Sequence, residues 1–194
     1  MKVIGLAGEA GCGKSAVGRI LAKREGTTWV DLDQLAWESY QPNSPTYDRL
    51  VARFGKEILS ASGEIARSKL GQIVFSDSAS LVDLNAIVHP ALSEKLRSVI
   101  DEEKAKGTRI LLVEGALLGV SPHVDYSLFD AILWLTASRE TRKERLRTAG
   151  RVHHLRRHLE SPKAAHTINI AAEGSIEQTA KHVLEAIGHL PPDR

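Results

Sequence analysis

Eight consecutive residues, Gly8-Glu9-Ala10-Gly11-Cys12-Gly13-Lys14-Ser15, fit the pattern G-x-x-x-x-G-K-S in full. These residue types suit the cradling of a phosphate chain. Glycines let successive backbone amides curl around phosphate oxygens, and a helix starting at Lys14 adds about half a positive charge facing them. Lys14 can reach the β- and γ-phosphates of a nucleoside triphosphate, and Ser15 can offer its hydroxyl to Mg2+, with Ala16 completing the binding stretch. A glycine-rich turn without a ligand is the bland alternative, and the apolar run before it and helical pattern after it argue for the cradle. Cys12 contributes mainly backbone there, so a small filler is the expected role rather than a redox sensor.

Three acids fall where such a cradle needs them. Asp31 and Asp33 follow a short apolar run, and ligands of open α/β sheets bind outside the carboxyl ends of strands. A carboxylate there can orient an acceptor hydroxyl and take its proton. Asp33 is the expected base, the choice between it and Asp31 stays open, and either could instead cap the helix carrying Leu35 and Ala36. Glu114 ends the run Ile110-Leu111-Leu112-Val113, a place suited to holding Mg2+ or its waters. Farther on, Arg139, Arg142, Lys143, Arg145, Arg147, Arg151, Arg156 and Arg157 face only Glu140 and Glu144. A basic segment closing over a nucleotide can stabilise the charge of phosphoryl transfer, with Arg145 and Arg151 as candidates; a solvated helical face is the alternative for any one of them. His153, His154 and His158 include a helical i to i+4 pair, which alone is weak ground for a metal clasp.

The elements that must position these groups alternate. Val3–Ala7, Thr28–Val30, Ile110–Val113, Ala131–Leu135 and Ile168–Ile170 read as short buried strands, and 14–24, 138–147 and 175–187 read as helices between them. This predicts an α/β protein: a doubly wound parallel sheet in three α/β/α layers. From about 46 to 106 the pattern is mostly helical, with a loop at Ser60-Ala61-Ser62-Gly63 and a break at His89-Pro90 expected to bend or end a helix. The expected organisation is one domain, with a core at about 1–45 and 107–194, a helical acceptor-binding insert at 46–106 and a short basic lid at 146–164.

With 194 residues and 42% hydrophobic content, the chain can bury one sizeable core. Its 26 basic and 24 acidic residues leave a formal charge of +2, which gives no global signature of a nucleic-acid or membrane binder. Aromatics are 5%, and none interleave with the basic stretch, against an RNA-binding role. One cysteine and no long apolar run suggest a cytoplasmic protein, expected as a monomer or weak oligomer. The N-K-x-D and D-x-x-G elements of a regulatory GTPase are missing.

Taken together, the cradle, Val30-Asp31-Leu32-Asp33-Gln34-Leu35-Ala36, the segment from Phe54 to Asp77 and Leu84, Ile87 and His89-Pro90 resemble the dephospho-CoA kinase family over most of the chain. The resemblance implies ATP as donor, Mg2+, and the ribose 3′-hydroxyl of dephospho-CoA as acceptor. It makes Arg67 and His89 acceptor-site candidates in the helical insert; capping, packing and a solvent-reaching arginine are their ordinary alternatives. It also matches Glu114 with Ala116-Leu117-Leu118 to a family segment, adding Leu117 to the acceptor site. The chain departs from the family pattern at Glu9, usually glycine, at Ala171–Ser175, where an asparagine is usual, and at Ala149, usually arginine, for which Arg147 or Arg151 could substitute. A related nucleoside or nucleotide kinase with another hydroxyl acceptor is the alternative, since a phosphate cradle identifies the donor and not the acceptor.

Overall fold

The computed structural model describes residues 1–116, 118–152, 155 and 166–191. Five strands pair among them: β1 (Lys2–Gly8), β2 (Thr27–Asp31), β3 (Ile110–Glu114), β4 (Ala131–Thr136) and β5 (Thr167–Ala171). Their order is β2-β3-β1-β4-β5 and every pairing is parallel. The chain leaves β1, passes beyond the place of β3 to form β2, and returns on the other side of β1 for β4. Right-handed crossovers on such a path put helices on both faces, the doubly wound, three-layer α/β arrangement. The reversal of direction lies between β1 and β3, and the crevice at their carboxyl ends is where open sheets of this kind bind ligands.

Burial explains why the strands read as continuous apolar runs rather than as alternating ones. Ile4 and Leu6 of β1, Leu112 of β3, Leu133 and Leu135 of β4 and Ile170 of β5 pack with Val17 and Leu21 of helix α1 (Lys14–Leu21) and Val183 and Ile187 of helix α7 (Ile176–Gly188). On the other face, Gly5 of β1 leaves room for Ile132, Phe129 and Leu118. Ser138 and Ser175, expected to start helices, are the N-caps of α6 (Arg139–Thr148) and α7, accepting from the amides of Thr141 and Gln178.

The chain divides into two compact units, one of Met1–Leu32 with Ile100–Arg194 and one of Asp33–Val99. The second unit contains most of α2 (Leu32–Ser39), α3 (Pro45–Phe54), α4 (Arg67–Ser76) and most of α5 (Ser78–Ala105). It begins earlier than position 46 because Tyr40, just past α2, is buried with Leu50, Phe54, Leu70, Val74 and Ile87 in this unit's own core. Ser44 caps α3 with Pro45 in its first turn, and Gly55 ends it at φ 79°. The loop at Ser60–Gly63 is a tight reversal, with Leu59 bridging Ile65 and the Ser60 amide donating to the Glu64 carbonyl at 2.8 Å.

Of the two outcomes expected at His89-Pro90, an end to the helix does not occur: α5 runs on through Pro90 to Ala105. Proline removes one hydrogen bond of the helix, a local loss of about 3 kcal/mol. Ile87, Val88, Leu92 and Leu96 are all buried across this position, and their packing offsets that loss. No helix among the described residues is long and apolar enough to cross a membrane.

Candidate active site

The cradle is the turn from β1 into α1. Gly8, Gly11 and Gly13 adopt φ of 130°, 88° and 91°, a region side chains rarely allow. Close approach reinforces the requirement: a Cβ on Gly8 would strike the Leu135 carbonyl oxygen, and one on Gly13 would stand 2.8 Å from Ile176 Cδ1. Helix α1 is N-capped by Gly13 without a side-chain hydrogen bond, unlike α3, α6 and α7, so no capping side chain covers its first turn, the arrangement that suits a phosphate. Lys14 Nζ donates to the carbonyls of Gly8 at 2.8 Å and Glu9 at 3.2 Å, which lays the ammonium along the turn. Ala10 and Ala16 lie within this same stretch. Cys12 is buried, and burial pushes its thiol above the ordinary range despite the charges of Lys14 and Arg142; it is a neutral filler at neutral pH.

Behind the cradle, the acids arrive by strand register. Glu114 pairs with Leu6 on one side and Asp31 on the other, so both carboxylates occur at the carboxyl edge of the sheet and on one face. Ser15 Oγ donates to Glu114 Oε1 at 2.6 Å, and Trp29 Nε1 donates to Glu114 Oε2 at 3.2 Å. Glu114 is only 7% exposed. Burial raises its pKa, and the hydrogen bond from Ser15 and the charge of Lys14 counter that rise. A hydroxyl and two carboxylates give hard oxygen donors of the kind Mg2+ prefers.

Arg145 reaches the cradle from α6. Its Nη1 donates to the Cys12 carbonyl at 3.3 Å and its Nη2 to the Gly174 carbonyl at 2.8 Å, linking the phosphate turn to the loop before α7. Arg147 instead pairs with Glu144 on the open surface at 2.8 Å, the solvated-face arrangement. Arg151 is exposed just after α6, with its amide on the Leu146 carbonyl at 2.8 Å. Leu117, the histidines at 153, 154 and 158, and most of the lid expected at 146–164 lie outside the described residues.

In the helical unit, Arg67 opens α4 and its Nη2 donates to the Asp33 carbonyl at 2.8 Å. Asp33 is exposed in the first turn of α2, and Asp31 stands immediately before that helix. An acid at a helix start also suits the helix dipole, so the capping and catalytic readings share one geometry. His89 is half-buried within α5.

A family model for dephospho-CoA kinase matches residues 2–169. The chain belongs to the dephospho-CoA kinase family. A relative named dephospho-CoA kinase from Thermobifida fusca is 37% identical over 155 residues, covering 76% of each chain. Another with that name, from Bacillus cereus, is 31% identical over 187 residues, covering 96% of this chain and 88% of its own. The solved dephospho-CoA kinase from Campylobacter jejuni shares the fold, with a TM-score of 0.60 at 20% identity over 97% of this chain and 96% of that one.

Three side chains of this dephospho-CoA kinase family member extend the site beyond the sequence-derived set. Trp29 holds the second oxygen of Glu114, and Gly18 of α1 makes room, since a Cβ there would collide with the indole. Trp29 lies two residues before Asp31 on β2, and the two-residue strand period could have placed it on the same face. Glu173 accepts from the Ser138 amide and from Thr141 Oγ1, the latter at 2.6 Å, and so ties the loop before α7 to the start of α6. Its carboxyl is held below the usual range, chiefly by the Thr141 hydroxyl. Arg142 is buried and pairs with Glu9 of the cradle at 3.1 Å. Nothing in local sequence signals either of these last two contacts.

Proposed function

We propose that the chain transfers the γ-phosphoryl group of ATP to the 3′-hydroxyl of the dephospho-CoA ribose, giving CoA and ADP. The observation carrying this reading is the Ser15–Glu114 contact beneath an uncapped helix start, in a member of this family. The cradle from Gly8 to Ala16 binds the triphosphate through backbone amides. Lys14, already directed along the turn, offsets the negative charge that spreads over the transferred phosphoryl oxygens. Arg145 adds a second cation, and its hold on the Cys12 and Gly174 carbonyls fixes where that charge stands. Ser15, Glu114 and Asp31 are the residues that would hold Mg2+, which would neutralise negative charge on the triphosphate when bound.

On the acceptor side, Asp33 orients the 3′-hydroxyl and takes its proton as the new P–O bond forms and the bond to ADP breaks. Asp31 remains in the carboxylate set at the strand edge. Arg67 and His89 bind the anionic and polar parts of dephospho-CoA, with Leu117 against its apolar surface, and Arg151 joins Arg145 on the nucleotide. The reaction calls for the cytoplasm, where ATP is made, and for neither nucleic acid nor membrane; a monomer or weak oligomer suffices. Purified protein with Mg2+, ATP and dephospho-CoA is expected to release ADP and yield a product heavier by one phosphoryl group. ADP release driven instead by a nucleoside from an acceptor panel, with none from dephospho-CoA, would overturn the acceptor.

A further inference from the structure

Glu9 brings a carboxylate into a turn whose task is to receive a polyanion, and by elementary electrostatics that charge opposes the ligand. Arg142 of α6 meets it: Nη2 stands 3.1 Å from Glu9 Oε2, with the arginine and glutamate side chains 10% and 19% exposed. Helix and turn are also pressed together at this point. A Cβ on Gly11 would lie 2.7 Å from the Arg142 carbonyl oxygen. Among the described residues, the buried Nε and Nη1 of Arg142 have no hydrogen-bond partner, so the guanidinium depends on the Glu9 carboxylate for compensation.

From this geometry we infer that Arg142 is a positioning residue for the nucleotide: it holds Glu9 against α6 and offsets its charge, and the pair together sets how strongly the cradle takes the triphosphate. Removing one partner or the other shifts the affinity for a polyanion in opposite directions. Arginine removal leaves an uncompensated carboxylate in the phosphate turn, and glutamate removal leaves a buried cation with an unmet carboxylate position. The inference rests on the phosphate-cradle reading given above.

Calorimetric titration of ATP and ADP into wild type, R142Q, R142K, E9Q and the double variant E9G/R142Q tests it. R142Q is expected to weaken ATP about tenfold and ADP less, because the penalty grows with ligand charge. R142K should lose only about threefold, and E9G/R142Q should recover most of the R142Q loss. E9Q, which keeps Arg142, should bind ATP about threefold more tightly, and it decides the matter should R142Q not fold. An R142Q affinity for ATP within about twofold of wild type, equal losses for ATP and ADP without recovery in the double variant, or no gain in E9Q would each overturn the inference. Wild type that binds neither nucleotide would instead sink the cradle reading itself.

Discussion

The glycine-rich turn and the helical unit present their candidate binding groups by different means. In the proposed donor site the groups on offer belong to the backbone: a main-chain path set by Gly8, Gly11 and Gly13 and a helix start without a side-chain cap, within a stretch of consecutive residues. In the helical unit, the candidates are side chains on separate helices: Asp33 on α2, Arg67 on α4 and His89 on α5. A backbone site is encoded locally, because glycine positions dictate the path of the main chain. A side-chain site is encoded only through packing, and the buried set of Tyr40, Leu50, Phe54, Leu70 and Ile87 sets the mutual position of those helices.

That difference makes the heaviest loss predictable. Lys14→Ala is expected to cut turnover about 10^3-fold, since it removes a cation aimed at charge developing in the transition state. Binding of dephospho-CoA, measured by calorimetry, should change little. If the two ligands weakened together, donor and acceptor sites would not be separable in this way.

Asp33→Asn probes the other half. A general base acts chiefly in the transition state, so kcat should fall about 10^2-fold while the dissociation constant of ATP stays within about threefold. Near-normal turnover would transfer the role to Asp31, and Asp31→Asn would then show the larger loss. Arg67, whose guanidinium rests on the Asp33 carbonyl, supplies the matching control: Arg67→Ala should raise KM for dephospho-CoA more than KM for ATP.

Much of the sheet and the glycine turn was legible in the sequence, for the reason just given. Five apolar runs marked the five strands because a parallel sheet buries both faces, and helical patterns from Ser138 and from Ser175 marked two helices whose N-caps those serines turn out to be. Glu114 could be assigned to the carboxyl edge from the end of its run alone. Its partner Trp29 was harder, coming from another strand, and so was the Glu9–Arg142 pair, whose members lie far apart along the chain. Pro90 was weighed as a local breaker able to bend or end a helix, and the buried residues on both sides carry α5 through it. The start of the helical unit at Asp33 was hidden for a similar reason, since Tyr40 declares its allegiance only by what it packs against.

Glu114→Gln sharpens the contrast within the cradle itself. The variant keeps a group able to accept from Ser15 but loses the charge that a hard cation requires. The Mg2+ concentration for half-maximal activity is expected to rise about tenfold, with a smaller change in ATP binding measured without metal. A change in the metal-free affinity as large as the Mg2+ shift would mean that Glu114 shapes the turn rather than the cation site.

The smallest effect concerns a second buried glutamate of the same unit, and it separates holding a fold from doing chemistry. Glu103 accepts from Lys106 Nζ at 2.7 Å, Thr28 Oγ1 at 2.6 Å and Thr108 Oγ1 at 2.7 Å. These donors pull its pKa down to about 2, whereas burial raises that of Glu114. A carboxyl with a depressed folded pKa stabilises fully above its unfolded pKa and loses that contribution as pH falls toward the folded value. Lys106 is 62% exposed, so the two hydroxyls carry most of the net stabilisation, and Glu103→Gln should cost about 2 kcal/mol near neutral pH. Denaturant midpoints of wild type and variant should differ most at pH 7 and converge between about pH 4.5 and pH 2, with kcat at neutral pH unchanged. A stability difference that stayed constant down to pH 2 would show that Glu103 acts through packing, and that its hydrogen-bonded charge adds nothing.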